Sequence, residues 1–208
     1  MRPRLVVATR SAHKLRELRD LLRLEHTELV SLDELGIAGD PVEDGLTFET
    51  NAKIKARAAA RATGLPALAD DSGLEVDALA GGPGVRTRRY AGPGATDADN
   101  NAKLLRELAD VPADRRGARY VCVLAFALPD KGSPGGLRLI TRRATSRGRI
   151  AREPRGSAGF GYDPLFEPAR ERPGGRTFAQ YASDEKDAIS HRGRAARRIV
   201  PVLRELGL

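Results

Sequence analysis

Several residue types are scarce in this chain of 208 residues, which has no tryptophan, one cysteine, five phenylalanines and four tyrosines. The single Cys122 excludes a disulfide within the chain. Its position in an apolar run predicts a buried small hydrophobe, which fits a reducing cytoplasm. Proteins that bind single-stranded nucleic acid stack bases on aromatic side chains, which are few here. The composition therefore favours a cytoplasmic protein with no nucleic-acid partner.

Long hydrophobic runs are also missing. No apolar segment approaches the roughly 20 residues that a membrane-spanning helix needs, and residues 1–9 contain no apolar stretch typical of a secretory signal. We therefore predict no membrane partner and no targeting segment. A chain of 208 residues can bury roughly 70% of its unfolded surface, and we predict one two-lobed domain over residues 1–208.

The formal net charge is +8, from 36 Lys and Arg residues against 28 Asp and Glu residues. Such an excess is compatible with a nucleic-acid-binding protein or with a site for polyanionic small molecules. Only six of the basic residues are lysines, and the arginines are spread along the chain rather than gathered in one patch. Lys14, Lys55 and Lys186 nevertheless fall within candidate site motifs, where a compact charge differs from a guanidinium fork.

Apolar spacing predicts the regular elements. Strands are expected at residues 5–9, 28–32, 118–128 and 137–145, and helices at 14–24, 47–63, 96–108 and from 194 to 206. The turn 10–13, between the first strand and the first helix, carries a hydroxyl and basic side chains at a helix N-terminus, which suits a phosphate group. The alternative is an ordinary N-cap at Ser11 with solvated basic neighbours.

Two adjacent carboxylates, Asp70 and Asp71, follow a short apolar strand and precede Ser72 and Gly73. We predict that the strand ends in a turn here, because glycine permits one. Neighbouring side chains on a strand point to opposite faces, so the two acids converge on one ion only if the turn lies between them. At least one of the two is therefore not catalytic. The alternative is an Asx turn that caps its own backbone.

An aromatic residue lies between two glycines at Gly159-Phe160-Gly161, where the ring can serve as a stacking surface for a flat base. The alternative is a glycine-rich turn with Phe160 in the core. Further along, Ser190-His191-Arg192 can donate hydrogen bonds to a phosphate or to a base carbonyl. The alternative for His191 is a structural histidine.

Taken together, these stretches resemble the inosine triphosphate pyrophosphatase family, the bacterial enzymes that remove noncanonical purine triphosphates such as XTP and dITP. The motifs that carry the resemblance cover nearly the whole chain: Ala8-Thr9-Arg10-Ser11-Ala12-His13-Lys14, Gly45-Leu46-Thr47-Phe48 with Asn51-Ala52 and Lys55-Ala56, Ala69-Asp70-Asp71-Ser72-Gly73-Leu74, Pro83-Gly84-Val85 with Arg89-Tyr90, Gly159-Phe160-Gly161-Tyr162-Asp163-Pro164, and Glu185-Lys186 with Ile189-Ser190-His191-Arg192-Gly193.

The resemblance implies a mixed α/β fold, with a long central sheet and helices forming two lobes around a substrate cleft. It implies a homodimer, Mg²⁺ as cofactor, and hydrolysis of ITP, dITP or XTP to the monophosphate and pyrophosphate. It also implies Asp71 as general base for the attacking water, with Asp71 and Glu43 as magnesium ligands. Contacts to the triphosphate are implied for Thr9, Arg10, Ser11, Ala12, His13, Lys14, Lys55 and Ser72, and contacts to base and sugar for Phe160, Gly161, Tyr162, Asp163, Lys186, His191 and Arg192.

Three positions depart from the family's pattern. The family usually has asparagine where Ser11 stands, a small residue where His13 stands, and glutamate where Thr50 stands. Ser11 can still donate to a phosphate oxygen. With Thr50 in place of the family's glutamate, one carboxylate is missing, and Glu49 is a possible substitute for it. Two alternatives stay open: a nucleotide-sensing or nucleic-acid-binding protein without hydrolysis, and a pyrophosphatase for modified pyrimidine triphosphates.

Overall fold

The computed structural model describes residues 2–208 and has a mixed α/β fold. The strands of the described chain are β1 (Arg4–Val7), β2 (Glu28–Ser31), β3 (Ala67–Val76), β4 (Gly117–Pro129), β5 (Leu137–Ile150) and β6 (Phe166–Pro168). Its α-helices are α1 (Ala12–Leu22), α2 (Phe48–Thr63), α3 (Asp97–Glu107), α4 (Ser183–Ile189) and α5 (His191–Glu205). Short 3₁₀ helices occur at Asp77–Leu79, Gly84–Arg89, Ala113–Arg115, Pro134–Gly136 and Phe178–Gln180. The predicted mixed α/β fold is confirmed.

The six strands form one mixed sheet in the order β2-β1-β3-β4-β5-β6. Strand β1 pairs in parallel with β2, where Val6 lies opposite Val30, and in parallel with β3, where Val7 lies opposite Leu68. At the other edge β5 and β6 are antiparallel. Parallel pairing needs a crossover connection, and α1 and α2 supply the two crossovers. The sequence therefore builds the sheet edge with β1 and β2 from successive βα units.

The chain divides into two compact units, and the first comprises the chain up to Asp71 with Cys122–Ala144 and Arg192–Leu208. Its core consists of apolar side chains from β1, α1, β3, β4 and α5: Leu5, Val7, Leu18, Leu22, Leu68, Leu124, Phe126, Ile199 and Leu203. Helix α2 has a defined start and end, because the Thr47 side chain accepts from the Thr50 N–H and Gly64 adopts a left-handed conformation. These two caps set the ends of α2, the helix that carries Lys55.

The second unit comprises Ser72–Val121 and Thr145–His191. Its core is richer in aromatic residues and includes Leu74, Val76, Leu104, Leu108, Tyr120, Ile150, Leu165, Phe166, Phe178 and Tyr181. The ring of Tyr120 lies 4.7 Å from that of Phe166 and stacks on His191 at 4.5 Å between centroids. The prediction of a single domain over residues 1–208 stays a prediction. Among residues 2–208, no helix combines the length and apolar character needed to cross a membrane.

One structural prediction is wrong: strand β3 does not end at the two acids but continues through Ser72 and Gly73 to Val76. Glycine permits a turn without requiring one, and the buried Leu74 and Val76 alternate with Glu75 as a strand demands. Smaller differences concern boundaries, since β1 ends at Val7, α1 begins at Ala12 and β5 extends to Ile150. The two acids therefore lie within a continuous strand.

Candidate active site

The first functional cluster centres on Lys55 of α2, whose ammonium lies between two carboxylates. Its Nζ is 2.7 Å from Asp71 Oδ1 and 3.2 Å from Glu43 Oε2. Asp71 is buried, while Glu43 is partly exposed on the loop that precedes α2. All three belong to the first unit. The structure therefore brings together the predicted base, the predicted second metal carboxylate and one predicted phosphate-binding lysine.

The protonation of this cluster follows from its burial. Burial raises the pKa of Asp71, and although the nearby Lys55 lowers it in turn, the net shift is upward. For Lys55, burial lowers the pKa, but the carboxylates of Asp71 and Glu43 outweigh burial, so the ammonium form is favoured. A carboxylate with a raised pKa is a better proton acceptor than an exposed aspartate. The arrangement therefore suits general-base chemistry at Asp71.

The loop that carries Glu43 is held at two points. The Asn51 side chain accepts from the Gly45 N–H at 2.9 Å and donates to the Gly45 carbonyl at 3.2 Å. A Cβ on Gly45 would lie only 2.5 Å from Asn51 Oδ1, so the clamp requires glycine there. Nearer the start of the loop, the Arg10 guanidinium bonds to the carboxylates of Asp33 and Asp40 and to backbone carbonyls. Arg10, a predicted phosphate contact, is thus engaged with the loop in this structure.

Asp70, the neighbour of Asp71, belongs to a different cluster. Its carboxylate contacts Lys14 Nζ at 2.5 Å and Arg192 Nε at 3.0 Å, and accepts from the Cys122 thiol at 3.1 Å. Burial would raise the pKa of Asp70, but Arg192 and Lys14 hold it well below its ordinary value. Neighbouring side chains on a straight strand point to opposite faces. Asp70 and Asp71 therefore have different ion-pair partners, as expected for two acids that do not share one ion.

Arg192 is the largest fully buried side chain of the described residues, and it joins α5 to two other elements. Its guanidinium bonds to Asp70 of β3 and, through Nη1, to Glu17 of α1 at 2.5 Å. The resemblance implies a base or sugar contact for Arg192, which stays a prediction; in the structure its guanidinium is bonded to Asp70 in the first unit. Cys122 is buried as predicted, and its thiol has a hydrogen-bond partner that the sequence did not reveal.

The turn before α1 contains the other predicted phosphate contacts. Ser11 is the N-cap of α1 and accepts from the Lys14 N–H at 3.4 Å, and its own N–H donates to Thr9 Oγ1 at 3.2 Å. Ala12 and His13 are exposed in the first turn of the helix, and His13 Nδ1 lies 2.9 Å from an Arg16 nitrogen. The turn therefore combines an intact cap with a helix N-terminus, where backbone N–H groups favour anions.

Thr50, which departs from the family's pattern, and Glu49, its suggested substitute, both have local partners. The Thr50 and Thr47 hydroxyl groups lie 2.9 Å apart, so Thr50 takes part in the cap of α2. Glu49 forms an ion pair with Lys53, and the Thr141 hydroxyl donates to it at 3.5 Å. The structure thus does not place Glu49 with Asp71, and the possible substitution of Glu49 for the missing carboxylate has no support in these contacts.

The second unit holds a cluster around the buried carboxylate of Asp163. Oδ2 accepts from Lys186 Nζ at 2.9 Å and from the Phe160 N–H at 3.0 Å, and the Tyr120 hydroxyl donates to Oδ1 at 3.2 Å. The Lys186 ammonium also lies 5.3 Å from the centroid of the Phe160 ring. A Cβ on Gly159 would lie 2.2 Å from Asp163 Oδ2, so only glycine fits that position.

The remaining predicted residues lie at different positions in the second unit. The Tyr162 hydroxyl donates to the Thr87 carbonyl at 2.8 Å, and the side chain is buried in the core of the second unit. His191 is buried against Tyr120, and Ser72 lies in β3 as the first residue of the second unit. Phe160 is partly exposed, so its ring is not sequestered in the core as the alternative interpretation required.

Some residues of these clusters were missed from the sequence. Glu17 is three positions after Lys14 on α1, a spacing that could have indicated a shared face. Asp97 and Asn101, which contact the Gly161 backbone, are four positions apart on α3. Among residues 2–208, no three His, Cys, Asp or Glu side chains are grouped closely enough to hold a metal by themselves.

The fold and these clusters define a mixed α/β protein with buried acid–lysine pairs in both units, and comparison with known proteins identifies the family. A family model described as the Ham1 family matches residues 5–202. The chain is 51% identical over 202 residues to a protein of Cutibacterium acnes named dITP/XTP pyrophosphatase, covering 96% of both chains. It is 47% identical to a protein of the same name from Corynebacterium efficiens, covering 98% of both.

Solved structures agree with this assignment. A HAM1 protein from Coxiella burnetii superposes with a TM-score of 0.85 at 42% identity, with 98% of this chain and 99% of that chain covered. A structure from Mycobacterium abscessus described as nucleoside-triphosphatase and dITP/XTP pyrophosphatase gives a TM-score of 0.74 at 44% identity, with coverage of 95% and 99%. The chain belongs to the Ham1 family, and the family resemblance predicted from its motifs is confirmed.

Proposed function

We propose that this protein hydrolyses noncanonical purine nucleoside triphosphates, namely ITP, dITP and XTP, to the monophosphate and pyrophosphate. The observation that carries the proposal is the buried Asp71 carboxylate with its raised pKa, bonded to Lys55 beside Glu43. The names of the relatives from Cutibacterium acnes and Corynebacterium efficiens support the same reaction and the same substrates.

The residues at Lys55 fit a magnesium ion. Mg²⁺ binds through one or two carboxylates and keeps water or phosphate oxygens as its other ligands. Asp71 and Glu43 supply two carboxylates that already converge on one cationic group, the Lys55 ammonium. We therefore assign these two acids as the residues that would hold the metal. When bound, the metal would neutralise phosphate charge and polarise the phosphoryl group.

The protein's own side chains account for the other steps. Asp71 accepts a proton from the attacking water, and its burial favours that transfer. Lys55 and Lys14 each lie beside an acid of β3 and offer compact positive charges to the triphosphate. The N–H groups at the start of α1 add hydrogen-bond donors for a phosphate oxygen. Positioning and electrostatic stabilisation thus supply most of the rate enhancement, as in phosphoryl transfer generally.

Base recognition belongs to the second unit in this proposal. The partly exposed Phe160 ring offers a stacking surface for the purine, and Lys186 is held beside it by Asp163. Hypoxanthine and xanthine present a 6-carbonyl and an N1–H, whereas adenine presents an amino group and a bare N1. A polar pocket matched to the first pattern leaves its groups unpaired with adenine, which gives discrimination of roughly 10⁴.

The substrate profile tests this proposal. We expect pyrophosphate release from ITP, dITP and XTP, with ATP slower by roughly 10⁴, and no release in the presence of EDTA. The measurement is enzyme-coupled pyrophosphate detection on purified protein with ITP, dITP, XTP, GTP, ATP and dTTP. Release confined to dTTP would retain the reaction and overturn the base assignment. No release from any nucleotide, with strongly salt-dependent binding to DNA or RNA, would favour the nucleic-acid-binding alternative.

The Asn51 clamp on the Glu43 loop yields a second prediction. Replacing Asn51 by alanine removes both hydrogen bonds to Gly45 and lets the loop move. We expect the Mg²⁺ concentration for half-maximal activity to rise by about tenfold, while activity at saturating Mg²⁺ stays closer to wild type. Thr50→Ala is the control, because the Thr50 hydroxyl is hydrogen-bonded to the N-cap residue Thr47 rather than to Gly45. An unchanged magnesium requirement in Asn51→Ala would contradict a metal role for Glu43.

Three finer statements accompany the proposal. The homodimeric assembly rests on the family resemblance alone, dependence on Mg²⁺ is supported also by the carboxylates of Asp71 and Glu43, and a cytoplasmic location by the composition. The residue roles assigned to the triphosphate and base contacts are likewise proposals.

A further inference from the structure

Helix α3 forms hydrogen bonds with one residue, Gly161, of the loop Gly159-Phe160-Gly161 in the second unit. Asp97, the first residue of α3, accepts from the Gly161 N–H at 2.6 Å, and Asn101 Nδ2 donates to the Gly161 carbonyl at 3.0 Å. The two side chains are four positions apart and share one face of the helix. They therefore hold both polar groups of the residue that follows Phe160.

The same loop is fixed on the other side of Phe160. Asp163 accepts from the Phe160 N–H, and Gly159 must be glycine because a Cβ there would meet the Asp163 carboxylate. Gly159 and Gly161 both have positive φ values, of 76° and 63°, which side chains rarely tolerate. Without its hydrogen bonds such a loop would be free to adopt other conformations. The orientation of the Phe160 ring thus depends on both anchors.

Helix α3 is itself held independently of the loop. Thr96 and Asp99 form a reciprocal capping box at its start. Asn100 accepts from the Ala91 N–H at 2.8 Å and donates to the Arg88 carbonyl at 3.1 Å, and Leu104 is buried. The helix is therefore a rigid support, and a group held by a rigid support loses less freedom when a ligand binds.

Substitution of Asn101 tests the hydrogen bond between its side chain and the Gly161 carbonyl. Its other side-chain polar atom, Oδ1, is buried and has no hydrogen-bond partner among residues 2–208. The hydrogen bond to the Gly161 carbonyl is thus the one that its side chain makes within the described chain. Removing the amide therefore changes the loop anchor without breaking another hydrogen bond.

We propose that Asp97 and Asn101 are positioning residues for base recognition, which hold the N–H and the carbonyl of Gly161 so that the Phe160 ring is oriented to stack on the purine. The inference rests on the proposed function, in which Phe160 binds the base. Neither residue touches the substrate, and both act through the loop.

The experiment measures base-dependent and phosphate-dependent binding separately. Asn101→Ala and Asp97→Ala should each raise KM for ITP by about tenfold, the loss expected for one hydrogen bond that orients the ring, with kcat unchanged. The affinity for inorganic tripolyphosphate, measured by calorimetry, should stay at the wild-type value because that probe has no base. Asp97→Asn keeps an acceptor for the Gly161 N–H and should restore KM.

Lys103→Ala is the matched control. It removes the ion pair with Glu107 from the same helix without touching Gly161 or the capping box, so KM for ITP should be unchanged and the melting temperature should change little. Amide hydrogen exchange at Gly161, measured by NMR, should be faster in Asp97→Ala than in wild type. This measurement reports the loop anchor without any assay of turnover.

Two failures are distinguishable. If the wild-type protein releases no pyrophosphate from ITP, the proposed function fails and the inference fails with it. If the wild type is active but Asn101→Ala and Asp97→Ala keep the wild-type KM although Gly161 exchange is faster, only the inference is overturned. An equal loss of affinity for ITP and for tripolyphosphate would also overturn it, because the effect would then be independent of the base.

Discussion

Asp71→Asn should lose most of its turnover while still binding nucleotide. The amide has nearly the same shape as the carboxylate but does not accept a proton from water, and general-base catalysis contributes about 10² to 10⁴ in rate. The raised pKa of Asp71, caused by burial, marks it as the acid best suited to that role in the Lys55 cluster. The measurement compares kcat for ITP with the dissociation constant of a nonhydrolysable ITP analogue.

The matched control is Glu75→Gln, which neutralises another acid of β3. Glu75 pairs with Arg119 and has no contact with Lys55, so its loss should leave kcat near the wild-type value. Melting curves of both variants show whether the fold is retained. Near-normal turnover in Asp71→Asn, with the fold intact, would refute the assignment of Asp71 as the base.

Asp70→Asn should be the most destabilising of the single substitutions considered, by about 3–5 kcal/mol in the free energy of unfolding. The buried Arg192 guanidinium would lose its carboxylate partner Asp70, and Lys14 would lose the acid that lies 2.5 Å from its ammonium. An uncompensated buried charge costs more than an exposed one. Urea denaturation without metal measures the effect.

The exposed pair Arg4–Glu28 provides the control. These side chains are 41% and 57% exposed, and Glu28→Gln should cost no more than about 1 kcal/mol. A loss of that small size in Asp70→Asn would show that the buried network does not stabilise the fold.

The same network has a pH dependence with a definite sign. The folded-state pKa of Asp70 is held well below its ordinary value by Arg192 and Lys14, against the opposing effect of burial. The resulting stabilisation is complete above the pKa of the unfolded state, near ~4, and is lost as the pH falls through the folded value. The difference between wild type and Asp70→Asn should therefore narrow as the pH falls below about 4.

Much of the fold followed from local signals. Helix α2 was correctly bounded because Thr47 and Gly64 are strong cap residues, and β4 followed from its apolar residues. The continuation of β3 through Ser72 and Gly73 was not predictable in this way. Gly73 looked like a turn residue, and only the neighbours of β3 in the sheet, β1 and β4, show that the strand continues.

The structure groups several residues that the motifs predicted, but the sequence did not indicate which partner each of them has. The motifs pointed to Asp70, Asp71, Lys14 and Lys55, yet nothing in the sequence paired Lys14 with Asp70 and Lys55 with Asp71. Such pairings depend on which face of a strand meets which helix. Arg192 shows the same limit, because its carboxylate partner Asp70 is 122 positions away along the chain.

The most direct test of the central claim is the comparison of ITP with ATP as substrates of the wild-type protein, at equal concentrations and with Mg²⁺. The account predicts that ITP is converted to IMP and pyrophosphate and that ATP reacts more slowly by roughly 10⁴. Equal rates for the two nucleotides, or formation of IDP and orthophosphate instead, would contradict it.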